Sequence, residues 1–108
     1  QFQSFEVGLD VAERLKDTFN KVQAFNMDQD PLVRPHVFNK DKVFVNLKKI
    51  ARSQLVAGGI HPAKIFSSPI DTFADGNFHS YRRDGDKAGR NISFCFLCWS
   101  GLKKDLLF

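Results

Sequence analysis

The sequence predicts a single α/β domain of the α+β kind, with strands and helices in layers. Three observations carry this. Apolar residues recur at helical spacing in two separate segments, short runs rich in Val, Ile and Phe lie between them, and the second helical segment passes to the next strand through a short connection at Gly58-Gly59. At 108 residues, 43% of them hydrophobic, the chain is long enough for one core. No internal repeat or low-complexity tract divides it, so residues 1–108 read as one domain.

The first helix is expected from about Gly8 to Val22, where Val7, Val11, Leu15, Phe19 and Val22 recur every three or four residues. Asp10 and Glu13 near its start and Lys21 near its end suit the helix dipole. From Gln23 to Lys42 the pattern fades among Asn26, Asp28, Asp30, Pro31 and Pro35, which predicts a loop of some twenty residues with room for a short strand around Val33 or Val37. Val43-Phe44-Val45 reads as a strand. Asn46 is placed to cap the helix after it, with Leu47, Ile50, Ala51 and Leu55 facing inward and Lys48, Lys49 and Arg52 outward.

Gly58-Gly59 stops that helix, and Ile60 to Ser67 enters a further strand. Asp71 to Asp75 forms a turn or a single helical turn with Asp71 as its cap. The run Ser80 to Arg90 then makes a tight turn, and Asn91 to Trp99, apolar on both faces, is expected to be a central strand.

The formal net charge of +4 points toward anionic partners, but the cations are dispersed and no interleaving of aromatic and basic residues accompanies them. Nucleic-acid binding is therefore the third-ranked reading. No apolar run is long enough for a membrane span and no signal peptide is visible, so a soluble cytoplasmic product is expected. The chain begins at Gln1 rather than Met, and is read as a piece of something longer. Twelve of its fourteen aromatic residues are Phe, which predicts a dry interior.

Ser80 to Arg90 holds four cations, two carboxylates, an aromatic and two glycines. Arg82, Arg83 and Arg90 are the leading candidates for ligand contact, because guanidinium forks pair with phosphate or carboxylate oxygens. The alternative for Arg82 and Arg83 is a pair with Asp84 or Asp86 that pins the turn. Gly85 and Gly89 suit positive-φ positions. Tyr81 either stacks on a planar ligand or plugs the core, and His79 either borders the site or is a surface histidine.

His36, His61 and His79 are too scattered for a local metal motif. Cys95 and Cys98 form a lone Cys-x-x-Cys in a strand pattern that sends their side chains to opposite faces, so they read as two buried, reduced thiols. No catalytic set and no metal site can be assembled from these residues.

Phe78-His79-Ser80-Tyr81-Arg82-Arg83-Asp84-Gly85, followed by Ala88-Gly89-Arg90 and an apolar stretch, resembles the C-terminal signature of the laccase-domain (YfiH-like) family, also described as multicopper polyphenol oxidase-like and as purine nucleoside phosphorylases. Ser4-Phe5-Glu6-Val7-Gly8 and the stretch from Val45-Asn46-Leu47 to Gln54-Leu55 resemble further family elements, in family order. The resemblance covers the C-terminal half of a family domain. It implies a mixed β-sheet sandwich with flanking helices, incomplete in this chain, and phosphorolysis of purine nucleosides, with adenosine deamination as a related activity and zinc or copper held in the complete domain by two His and one Cys.

Those ligands belong to motifs that precede the Glu-Val-Gly element. The implied partners are purine nucleoside, phosphate and the N-terminal half of the same domain. Arg82, Arg83, Arg90, Tyr81 and His79 would then form the substrate or phosphate side of the site. Three positions depart from the family pattern: His79 replaces a Phe, Ala88 replaces a Thr, and Ser67 to Gly76 contains no Cys. A non-catalytic fragment or interaction module is the alternative reading.

Overall fold

The computed structural model describes residues 5–22, 30–94 and 106–107. The chain is of the α+β class. A three-stranded antiparallel sheet, β1 (Glu6–Gly8), β2 (Val33–Pro35) and β3 (Lys42–Val45), has the order β1-β3-β2, and two helices, α1 (Leu9–Lys21) and α2 (Leu47–Ala57), accompany it. A separate parallel pair joins β4 (Ile65–Phe66) to β5 (Leu106–Leu107). Both strand senses are therefore present, in two different sheets.

Pairing register decides which face of the sheet is buried. Val7 lies opposite Val43, and Val33 opposite Val45, so period-two alternation gathers these valines on one face. Val7, Val45, Ala12 of α1 and Ile50 of α2 form the buried core there, with Phe5, Leu15, Phe19 and Leu32 packed around them. On the other face Glu6, Phe44 and Arg34 stand in register. Glu6 bonds Lys42 at 2.7 Å and the His36 ring at 3.1 Å, and that ring stacks on Phe44 with centroids 5.2 Å apart.

Helix α1 occupies the expected segment but turns Ala12 rather than Val11 to the core, because the short valine sheet leaves room for a small residue at closest approach. Asn46 caps α2 as anticipated, its Oδ1 accepting from the Lys49 amide at 3.1 Å. Three features of that helix differ from expectation. Leu47 is 41% exposed, whereas Lys49 is only 6% exposed, with its Nζ donating to the Asp30 carbonyl and lying 6.0 Å over the Phe19 ring. Arg52 points inward to the carbonyls of Ile65 and Pro62 at 3.0 and 3.1 Å. Main-chain carbonyls of the segments before and after the helix supply the acceptors that draw these cations in.

Within the expected loop from Gln23 to Lys42, the short strand anticipated around Val33 is β2, which a hairpin joins to β3; residues 23–29 lie outside the described residues. Pro35 is tolerated because β2 is an edge strand. The strand expected from Ile60 reduces to β4, because Pro62 opens a short 3-10 helix over Pro62–Lys64 that His61 caps.

Asp71 makes the anticipated turn, its Oδ1 accepting from the amides of Phe73 and Ala74. The central strand expected from Asn91 is not formed over residues 91–94, where Ile92 and Phe94 are 85% and 82% exposed. The remainder of that stretch, with Cys95, Cys98 and Trp99, lies outside the described residues. Apolar content signals burial, but a strand also needs a partner edge. No described helix is long and apolar enough to cross a membrane.

Candidate functional site

The charged run is not one tight turn but a short helix, α3 (Tyr81–Asp84), followed by a 3-10 turn over Gly85–Lys87. Ser80 caps α3, its Oγ accepting from the Arg83 amide at 3.4 Å. Gly85 ends it at φ 57°, ψ −135°, a conformation that side chains oppose. Gly89 does not share that geometry. It gives the His79 ring room instead: a Cβ there would stand 2.7 Å from that ring, which would have to shift.

Arg83 is the organiser of this loop. Its Nη1 donates to the carbonyls of Thr72, Phe73 and Asp75 at 2.9, 3.0 and 3.1 Å, and its Nη2 to Phe78 at 2.6 Å. Nε and Nη2 also grip the Asp84 carboxylate, the ion pair closing at 2.8 Å. Of the two roles the sequence left open, Arg83 takes the one that pins the turn. The hydrogen bond and charge of Asp84 raise the Arg83 pKa, while Arg83, and to a lesser degree His79, hold the Asp84 carboxyl below its ordinary range.

Arg82 turns the other way, toward the sheet. Val45 donates its amide to Phe5 O at 3.0 Å, so the carbonyl of the intervening residue, Glu6, lies on the outer edge of β1. Arg82 Nη1 donates to that carbonyl, and its guanidinium carbon sits 5.1 Å from the centre of the Phe5 ring. Two adjacent arginines thus divide the work, one folding the loop and the other fastening it to β1.

Between these elements lies a cavity of about 390 Å³. Its apolar wall is Phe5, Val45, Leu47, Ile70 and Phe73, and its polar wall includes Lys48, Asp71, Ser80, Tyr81 and Arg82. Lys48 Nζ donates to the Ser68 carbonyl, which holds the ammonium near the start of α2. Tyr81 is 64% exposed, so it is not a core plug; its hydroxyl donates to Asp86 at 3.4 Å. An apolar floor with two cations, hydroxyls and an exposed aromatic ring can take a planar ligand bearing an anionic group.

Of the residues singled out from sequence, Tyr81 and Arg82 line this cavity and Arg83, Arg90 and His79 do not. Lys48 and Ser80 were missed as site residues. A capped helix beginning Asn46-Leu47-Lys48 offered a signal for the first, since a cation in the first turn opposes the helix dipole.

A metal ion of the implied kind needs three or more converging donors. Among the described residues no three His, Cys, Asp or Glu side chains are grouped to hold one. The histidines explain why. His36 Nδ1 accepts from the Phe38 and Asn39 amides, His61 Nδ1 from Ala63, and His79 Nδ1 from Gly89. A neutral ring that accepts at Nδ1 carries its proton on Nε2, so neither nitrogen presents a lone pair to a metal. The donor set of the described residues does not fit copper or zinc.

A model of the multi-copper polyphenol oxidoreductase laccase family matches residues 1–98. No curated protein and no solved structure matches the chain.

Proposed function

The chain belongs to the multi-copper polyphenol oxidoreductase laccase family, and on that premise we propose that it is the C-terminal part of a family domain that cleaves purine nucleosides with phosphate. The observation that carries this reading is the cavity in which Lys48, Ser80, Tyr81 and Arg82 face an apolar wall. A purine ring matches the apolar wall and the exposed Tyr81 ring, while phosphate matches the two cations. An arginine carries five N–H donors, so Arg82 can serve the Glu6 carbonyl and an anion together.

In phosphorolysis a phosphate oxygen bonds to C1′ of the ribose as the bond from C1′ to the base breaks, and the base leaves with a proton. Holding phosphate at a fixed cationic wall removes the translational cost of bringing it to the sugar and offsets repulsion between anionic groups. That positioning is the share assigned to this chain. The copper that the family description suggests, or zinc, belongs to donors outside the described residues.

A second reading, a non-catalytic interaction module, is supported by one observation: all three histidines use Nδ1 to close turns. Incubating the full-length protein that carries this chain with adenosine and phosphate separates the two. Release of adenine with ribose 1-phosphate, or of ammonia if the related deamination operates, is expected; neither product over many enzyme equivalents would leave the module reading. In an active protein, Lys48→Met and Arg82→Met are each expected to raise KM for phosphate about tenfold, the size of one lost charge-assisted bond.

A further inference from the structure

The loop that carries the arginines is closed at its base by a junction on His79. The Gly89 amide donates to His79 Nδ1 at 3.1 Å. On the main-chain side, the His79 amide donates to Asn91 Oδ1 at 3.0 Å, and Asn91 Nδ2 donates back to the His79 carbonyl at 2.7 Å. One residue thereby holds two points of the segment that follows the 3-10 turn. The two attachments differ chemically, since the Asn91 bonds use groups that do not titrate and the Gly89 bond needs an imidazole lone pair.

We infer that His79 is a proton-sensitive latch and a positioning residue for this loop: neutral, with its proton on Nε2, it holds the Gly89 amide, and protonation releases Gly89 and Arg90 while Asn91 stays anchored. A protonated imidazole donates from both nitrogens, so its Nδ1–H faces the Gly89 N–H and the bond becomes a repulsion. The glycine makes the latch tight, because any side chain at 89 would collide with the ring.

His79 is exposed, so bulk protons reach it. The charged side chains on the segments closing around it are Arg83 and Asp84 of α3, Asp86 and Lys87 of the 3-10 turn, and Arg90 on the released strap. Arg83 and Asp84 are tied to each other by an ion pair at 2.8 Å. The inference does not depend on the nature of the ligand, since it concerns the loop alone.

Nuclear magnetic resonance on the full chain labelled with nitrogen-15 tests it. Long-range correlations of the imidazole nitrogens are expected to show His79 protonated on Nε2 at pH 8. As pH falls to 5, across histidine's ordinary range, the solvent-exchange rate of the Gly89 amide, corrected for its intrinsic pH dependence, is expected to rise at least about tenfold, the Ile60 amide at the end of α2 serving as the reference. His79→Asn, whose Oδ1 stands where Nδ1 did, keeps Gly89 protected at both pH values, whereas His79→Phe leaves it unprotected at both. A proton on Nδ1 at pH 8, or corrected exchange at Gly89 that stays flat through the wild-type titration, overturns the latch. The wild-type result decides the matter even where a variant does not fold.

Discussion

Arg82 donates from Nη1 to the carbonyl oxygen of Glu6, joining two residues 76 positions apart and fastening the arginine loop to the side of β1 that faces away from β3. Because Phe5 lies under the same guanidinium, the bond also sets one side of the cavity. Arg82→Met keeps the alkyl stem over Phe5 but removes the bond and the cation–π contact. It is expected to lower stability by about 1–2 kcal/mol, read from urea unfolding. A variant as stable as the parent would mean that the loop is held by other contacts.

Arg83 has the opposite role and a different expected phenotype. Its four carbonyl acceptors, on Thr72, Phe73, Asp75 and Phe78, lie within eleven residues of it, so it folds the loop on itself. Arg83→Lys retains the charge but cannot reproduce a planar fork reaching five partners. Its urea midpoint is expected to fall further than that of Arg82→Met. The reverse order would assign the organising role to Arg82.

Two carboxylates make the fold acid-sensitive. Lys42, through its hydrogen bond first and its charge second, holds the Glu6 carboxyl below its ordinary range, as Arg83 does for Asp84. Each group binds a proton less readily in the folded than in the unfolded chain, so the unfolded state takes up more protons on acidification. Their stabilisation is complete above the ordinary carboxylate range, near pH 4, and is lost as pH falls through the lower folded-state values. Glu6→Gln and Asp84→Asn should each flatten the acid limb of stability against pH. An unchanged slope in both would count against these pairs.

The core prediction is simpler. Ile50 of α2 is buried against Val7, Ala12 and Val45, where the helices meet the sheet. Ile50→Ala is expected to cost about 2–5 kcal/mol through lost burial and the space left behind. A loss below 1 kcal/mol in urea unfolding would place the core elsewhere.

Much of this arrangement was legible in the residues because helices announce themselves locally. The recurrence of Leu15 and Phe19, the Asn46 cap and the Gly58-Gly59 stop located α1 and α2, although Val7 of the same periodic series belongs to β1 and Val11 is exposed. Strands were harder, since a strand is defined by its partner. Glu6–Gly8 and Val33–Pro35 are three residues each and draw their stability from β3, which no local pattern states.

Side-chain direction was hardest of all. Lys49 and Arg52 read as solvated cations, yet carbonyls of Asp30, Pro62 and Ile65 draw them inward. The same limit applied to Ser80 to Arg90. Its composition marked it for attention, but only three-dimensional placement separates Arg82, beside the cavity, from Arg83, turned into the loop.

The proposal that Lys48 and Arg82 form the anion-binding wall is tested most directly by calorimetric titration of inorganic phosphate, with and without adenosine, into the full-length protein and into Lys48→Met and Arg82→Met. Saturable phosphate binding by the parent, weakened about tenfold or more in each variant, is the expected result. Phosphate affinity equal in all three proteins would contradict the assignment of this wall.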